Sequence, residues 1–188
     1  MEYEQIKEKL SQNLSERRYE HSLRVADMCI KLAKANDVDP FKAYRAGLLH
    51  DCAKDIPIDR QIELCKEYGI ELDEVTLRAP KIIHAPLGAE IARREYEIDD
   101  EEILSAIAKH TTGSAHMSML DKIVFLADLI EPGRTYKEAE EIRELAIVDI
   151  NQAVLMSFDR AIVRMIDASW ILHPNTVEAR NTLLIENS

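Results

Sequence analysis

Residues 46–54 read Ala46-Gly47-Leu48-Leu49-His50-Asp51-Cys52-Ala53-Lys54. The first four are apolar and small, so the His50-Asp51 pair that closes the run sits where packing is tight. A buried imidazole and carboxylate are costly unless partnered. Either the two satisfy each other or a metal ion satisfies both. Adjacent helix residues point ~100° apart, yet a cation lodged near a helix end can take both side chains. Lys54 lies three residues past Asp51, at helical neighbour spacing. A surface ion pair with Asp51 or Asp55 is its plain alternative role.

Helical periodicity extends in both directions from this run. It predicts a helix over 40–53, with Pro40 near its first turn. On the N-terminal side it predicts helices over 2–13, with Ile6 and Leu10 on one face, and from Ser15 to about Asn36. Downstream it predicts helices over 58–68, 85–97, 100–111 and 117–131, with only a turn or two at 73–79. Gly69 stops the first of these and Pro132-Gly133 the last. The stretch 137–147 is polar and reads as peripheral. A long helix over 149–172 and a last one over 175–185, opened by Pro174, complete the chain. No segment alternates as a strand would. The expected fold class is all-α, a bundle of crossed, unequal helices.

Composition agrees. Glycine and proline number 5 and 6 in 188 residues, few against an average usage of about 12% for the two. A sandwich or barrel needs more turns than that. The length suits one domain and buries about 70% of its extended surface without disulfides. Acids outnumber bases 35 to 24, a net charge of −11, which argues against nucleic acid and anionic membranes as partners. Cys29, Cys52 and Cys65 form no CxxC pair and read as free thiols in a reducing compartment. Met1-Glu2-Tyr3-Glu4 is acidic where a signal peptide is basic. The longest apolar run, Ile123 to Ala127, is far short of the ~20 residues of a membrane span. A cytoplasmic protein is expected.

Five of the six histidines fall in telling places, while His116 reads as a loop residue. His21 heads the stripe His21, Val25, Met28, Leu32 on one helix face. His84 precedes Ala85-Pro86 at a helix entrance. His110 ends the stripe Ile103, Ile107, His110 before a helix stop signal, Thr111-Thr112-Gly113. Asp128 closes the apolar run Ile123-Val124-Phe125-Leu126-Ala127 and needs a partner, for which a salt bridge to Arg134 would suffice. Each taken singly is an ordinary core residue. Together His21, His50-Asp51, His84, His110 and Asp128 place one ligand type on five successive helical segments. Imidazole with carboxylate suits a divalent transition ion. No cysteine is needed, so a structural zinc finger is not favoured.

This order of histidines and aspartates on consecutive helices resembles the HD-domain phosphohydrolase superfamily. Within it the chain is most similar to the YqeK family of bacterial symmetrical diadenosine tetraphosphate hydrolases. The matching segments are 18–22, 46–54, 84–89, 110–113, 120–134, His173-Pro174-Asn175-Thr176 and Glu178-Ala179-Arg180-Asn181. The resemblance spans nearly the whole chain, read as a single HD domain over 1–188. Its core is about 15–131, and C-terminal helices over 137–185 complete a nucleotide site. It implies that His21, His50, Asp51 and Asp128 hold a primary iron ion. Asp51 then bridges to a second ion held by His84 and His110, or those two histidines contact phosphate or water instead. Manganese or another divalent metal is the alternative cofactor. The resemblance further implies that Lys54, Thr111, Arg134 and Arg18 contact phosphate. His21, His84, His110 and Asp128 border the same substrate, and Trp170, His173 and Asn175 grip the nucleoside. A homodimer is implied too. Cys52 departs from the larger residue that many relatives carry after the HD pair.

The reaction so implied splits the central phosphoanhydride of a dinucleoside tetraphosphate, giving two nucleoside diphosphates. A metal acidifies water and polarises a phosphoryl oxygen, while Lys54, Arg18 and Arg134 offset charge on the transferring group. Asp51, Lys54, His84 and His110 are the candidate catalytic residues. No phosphate-cradling glycine loop is present. The rival readings are an HD-type hydrolase of another nucleotide and a noncatalytic nucleotide-binding HD module.

Overall fold

A computed structural model describes residues 1–187. Among these residues there is no strand. The α-helices, in order, are α1 (Tyr3–Asn13), α2 (Glu16–Ala35), α3 (Pro40–Leu49), α4 (Ile58–Tyr68), α5 (Glu74–Arg78), α6 (His84–Tyr96), α7 (Glu101–Lys109), α8 (Met119–Ile130), α9 (Ala139–Val148), α10 (Ile150–Asp167) and α11 (Pro174–Glu186), with a 3-10 turn at Pro80–Ile82. Among the described residues no helix is long and apolar enough to cross a membrane.

The bundle is organised around α2, α3 and α8. The α2 stripe read from the sequence is buried throughout: His21, Val25, Met28 and Leu32. Its partner α3 crosses it closely because Gly47 lacks a side chain. A Cβ there would lie 2.7 Å from Cys29 Sγ and 3.0 Å from Ala26 Cα. Helix α8 is buried on nearly every side, from Leu120 through Ala127. It packs against α2, α7 and α10. Its first turn is fixed by a capping box, in which Ser118 and Asp121 satisfy each other's backbone N–H groups. Asp121 is fully buried and also accepts from Ser105 Oγ at 2.9 Å and Lys109 Nζ at 2.8 Å. That ties the start of α8 to the end of α7.

The helix expected over 40–53 ends at Leu49. Beyond it the chain tightens into successive turns, with Cys52 N–H donating to Leu49 O at 3.0 Å and Lys54 N–H to Asp51 O at 2.9 Å. His50 still has right-handed helical dihedrals, φ −53° and ψ −37°, and the i to i−3 bonds tighten the chain from there on. The helix expected over 149–172 likewise stops at Asp167. Ser169 takes a left-handed φ of 54°, which swings Trp170 away from the following segment. His84 is the first residue of α6. The stretch read as peripheral forms α9, which buries Ala139, Ile142 and Ala146.

Candidate metal centre

Four imidazoles and two carboxylates meet where α2, the turn after α3, α6, α7 and α8 converge. His50, His84 and His110 are almost fully buried, as are His21 and Asp51. Each histidine hands its outer nitrogen to a fixed acceptor. His50 Nδ1 faces Gly47 O at 2.7 Å, His84 Nδ1 faces Lys81 O at 2.8 Å, and His110 Nδ1 faces Ile107 O at 2.7 Å. His21 Nδ1 faces Glu131 Oε1 at 3.2 Å. Carbonyls and carboxylates only accept, so these nitrogens carry the protons. The four Nε2 atoms are left as inward-facing lone pairs.

Those lone pairs face carboxylate oxygens and one another. His21 Nε2 lies 3.0 Å from Asp128 Oδ1, and His50 Nε2 lies 3.4 Å from Asp51 Oδ2. His84 Nε2 and His110 Nε2 are 3.1 Å apart, and 3.1 and 3.6 Å from Asp51 Oδ1. Buried His21 Nε2 and His50 Nε2 make no hydrogen bond. An array of acceptors pointed at one place is what a cation resolves, and it is the donor set of a divalent transition ion. Three overlapping groups have ligand atoms within 4.8 Å of one another: His21, His50 and Asp51; His50, His110 and Asp128; and Asp51, His84 and His110. The two oxygens of Asp51 face different groups, so it stands between them.

The electrostatics follow from this crowding. Burial works to raise the Asp51 carboxyl, but His50 beside it and the close approach of His110 and His84 hold it far below the usual carboxylate range. Burial likewise opposes ionisation of Asp128, and the His21 contact with His50 and His110 nearby overrides it. Burial pushes His84 down to about 4, against the pull of Asp51. His50 goes the other way: burial lowers it, but Asp51 and Asp128 raise it by more.

Three cations stand at the open side. Arg18 Nη1 meets Asp51 Oδ2 at 2.7 Å. Arg134 donates from Nη2 to Asp128 Oδ1 at 2.7 Å and from Nε to Asp128 O at 2.9 Å. The salt bridge read as the plain alternative for Asp128 therefore forms, within the cluster. Lys54 pairs with neither Asp51 nor Asp55. Its Nζ lies 3.2 Å from both ring nitrogens of His84, so it stands against the ring. Asp55 instead takes the N–H and hydroxyl of Ser15. Burial lowers the Lys54 ammonium below its ordinary value.

The nucleoside candidates divide. Thr111, His173 and Asn175 line a cavity of about 410 Å³ with Thr76, Ile82 and Pro86. His173 is pinned there, accepting from Asn175 N–H at 3.2 Å and facing Thr76 Oγ1 at 3.2 Å. Trp170 is 59% exposed and lines a different groove, with Leu129, Tyr136 and Arg164. His116 is an exposed loop residue, as read.

Sequence reasoning passed over Glu131. This buried carboxylate holds His21 Nδ1, accepts from Arg24 Nε at 2.7 Å and from Gly133 N–H at 2.6 Å. Burial opposes its ionisation, and the Arg24 and Gly133 contacts overcome that. A carboxylate behind a ligand histidine fixes its tautomer and orientation. Its position after an apolar helix gave no hint, because the histidine it serves is 110 residues away.

The HD domain family matches residues 18–133. A symmetrical bis(5'-nucleosyl)-tetraphosphatase of Halalkalibacterium halodurans is 37% identical over 93% of this chain and 92% of its own. The protein of the same description from Staphylococcus aureus is 35% identical over 96% of this chain and 94% of its own. A crystal structure of a predicted HD superfamily hydrolase involved in NAD metabolism, from Clostridium acetobutylicum, superposes with a TM-score of 0.96. It is 45% identical and covers 99% of this chain and 98% of that one.

Proposed function

The chain belongs to the HD-domain family, among the symmetrical bis(5'-nucleosyl)-tetraphosphatases, and from that membership we propose that it hydrolyses diadenosine tetraphosphate to two ADP. The observation that carries the reading is the convergence of four Nε2 lone pairs on Asp51 and Asp128 with Arg18, Lys54 and Arg134 at the edge. His21, His50, Asp51 and Asp128 hold the primary ion, and His84 and His110 a second one, with Asp51 between them. We take the metal to be iron, since imidazole and carboxylate donors suit it or manganese. When bound, such an ion supplies an activated water and charge for a phosphoryl oxygen.

The chain's own residues do the rest. Arg18 and Arg134 hold phosphate oxygens and balance Asp51 and Asp128 when no substrate is present. Lys54, half-desolvated, adds a third positive charge to the transferring group. His84 is neutral at pH 7 with its lone pair inward, so it holds an ion or takes a proton and does not donate one. His173 and Asn175 take one nucleoside, and Thr111, lining the same cavity, contacts its phosphate. Trp170, in its own groove, offers a stacking face to the other. In this reading 1–188 is one domain, whose helices over 137–185 complete the nucleotide side. The chain acts in the cytoplasm, where its three free, buried cysteines stay reduced. It pairs as a homodimer, as the family resemblance implies.

Turnover of a nucleotide panel, measured with metal content on the same preparation, tests this. Diadenosine tetraphosphate should be the best substrate and activity should track bound iron. Preference for a nucleoside monophosphate, or full activity in metal-free protein, overturns it.

A further inference from the structure

We propose that Arg143, on α9, is a positioning residue for hydrolysis: it fixes the backbone segment from which Glu131 and Arg134 reach the cluster. Its guanidinium donates from Nε to Ile130 O at 2.6 Å, and from Nη2 to Glu131 O at 3.1 Å and Arg134 O at 2.7 Å. Its remaining nitrogen pairs with Glu140. One planar fork thus holds three carbonyls of a five-residue segment, two of whose side chains, Glu131 and Arg134, reach the site. Glu131 orients His21, and Arg134 lies on Asp128. Arg134 N–H closes the same turn onto Glu131 O at 2.8 Å.

The segment leaves a helix end, where carbonyls lack helical partners. Arg143 satisfies them from outside the chain's local structure. Without it Glu131 O keeps the Arg134 N–H, but the carbonyls of Ile130 and Arg134 lose this donor, and the turn gains freedom next to a group that must meet phosphate. A lysine carries the charge but not the fork. The role rests on the reading of Arg134 as a phosphate contact.

The test is a double-mutant cycle on diadenosine tetraphosphate hydrolysis, with metal content and melting temperature followed in parallel. Arg143→Ala should lower kcat/KM by about 10- to 100-fold. Introduced into Arg134→Ala, the same change should cost several-fold less, because one of the two positioned groups is gone, and the loss that remains, through Glu131 and His21, should show as lower metal content. Arg143→Lys keeps the charge opposite Glu140, should still lose activity, and serves if the alanine variant does not fold. An equal loss in both backgrounds, or wild-type kinetics in both Arg143 variants, overturns the positioning role while leaving Arg134 in place. Wild-type kinetics in Arg134→Ala removes the phosphate contact and this role with it.

Discussion

Asp51 is the residue on which the two ligand groups meet, with one oxygen toward His50 and the other toward His84 and His110. Asp51→Ala should abolish turnover and release most of the metal; elemental analysis beside an activity assay reads both. Retention of both would make it an ordinary buried carboxylate. Glu131 acts one step further out. Glu131→Gln keeps the size and loses the charge, so metal affinity should fall by about tenfold in a metal titration, and a wild-type titration would deny it the orienting role. His84 gives a pH signature. Its folded value of about 4 lies below the ordinary 6.5, so between those values the unfolded chain binds a proton that the fold excludes. Stability of metal-free protein should therefore fall as pH drops through that window. His50, raised above its ordinary value, acts in the opposite sense and only above pH 6.5. Melting curves from pH 7 to 4.5 check this, and His84→Gln should flatten them. Most of these residues were legible in the sequence because ligand types recur on successive helices. Glu131 was not, since its meaning depends on His21 across the fold.

At the level of the helices, the α2–α3 crossing sets the distance between His21 and the His50-Asp51 turn. Gly47 permits that approach, so Gly47→Ala should force α3 off α2 against Cys29 and Ala26. The expected loss is about 1–3 kcal/mol, measurable by denaturant unfolding, with an activity loss from the displaced turn. Unchanged stability would mean that the crossing is looser than it stands. Periodicity located every long helix, since each has an apolar stripe of helical spacing. It overran α3 and α10 because both end in turns that hydrophobic spacing does not encode. The i to i−3 turns after Leu49 and the left-handed Ser169 depend on local hydrogen bonds. That second turn is why Trp170 and His173, three residues apart, line different cavities. Helix α9 read as peripheral because its pattern is polar, and the value of Arg143 lies in carbonyls that no side-chain pattern records.

For the whole molecule, a chain of net charge −11 handles a polyanion by concentrating Arg18, Lys54 and Arg134 at one opening. These three cations, with the metal that the cluster is able to hold, would set the sign of the site, and the remaining surface is free to be acidic. The position of cleavage then depends on register: in the proposed reading each nucleoside has its own pocket and the central bond lies at the cluster. Hydrolysis of diadenosine tetraphosphate in oxygen-18 water, with early products separated and weighed, tests that register most directly. Water attack at one inner phosphorus should give ADP alone, with half of the ADP carrying one heavy oxygen on its terminal phosphate. ATP and AMP in equal amounts would place the attack one phosphate away and contradict the account.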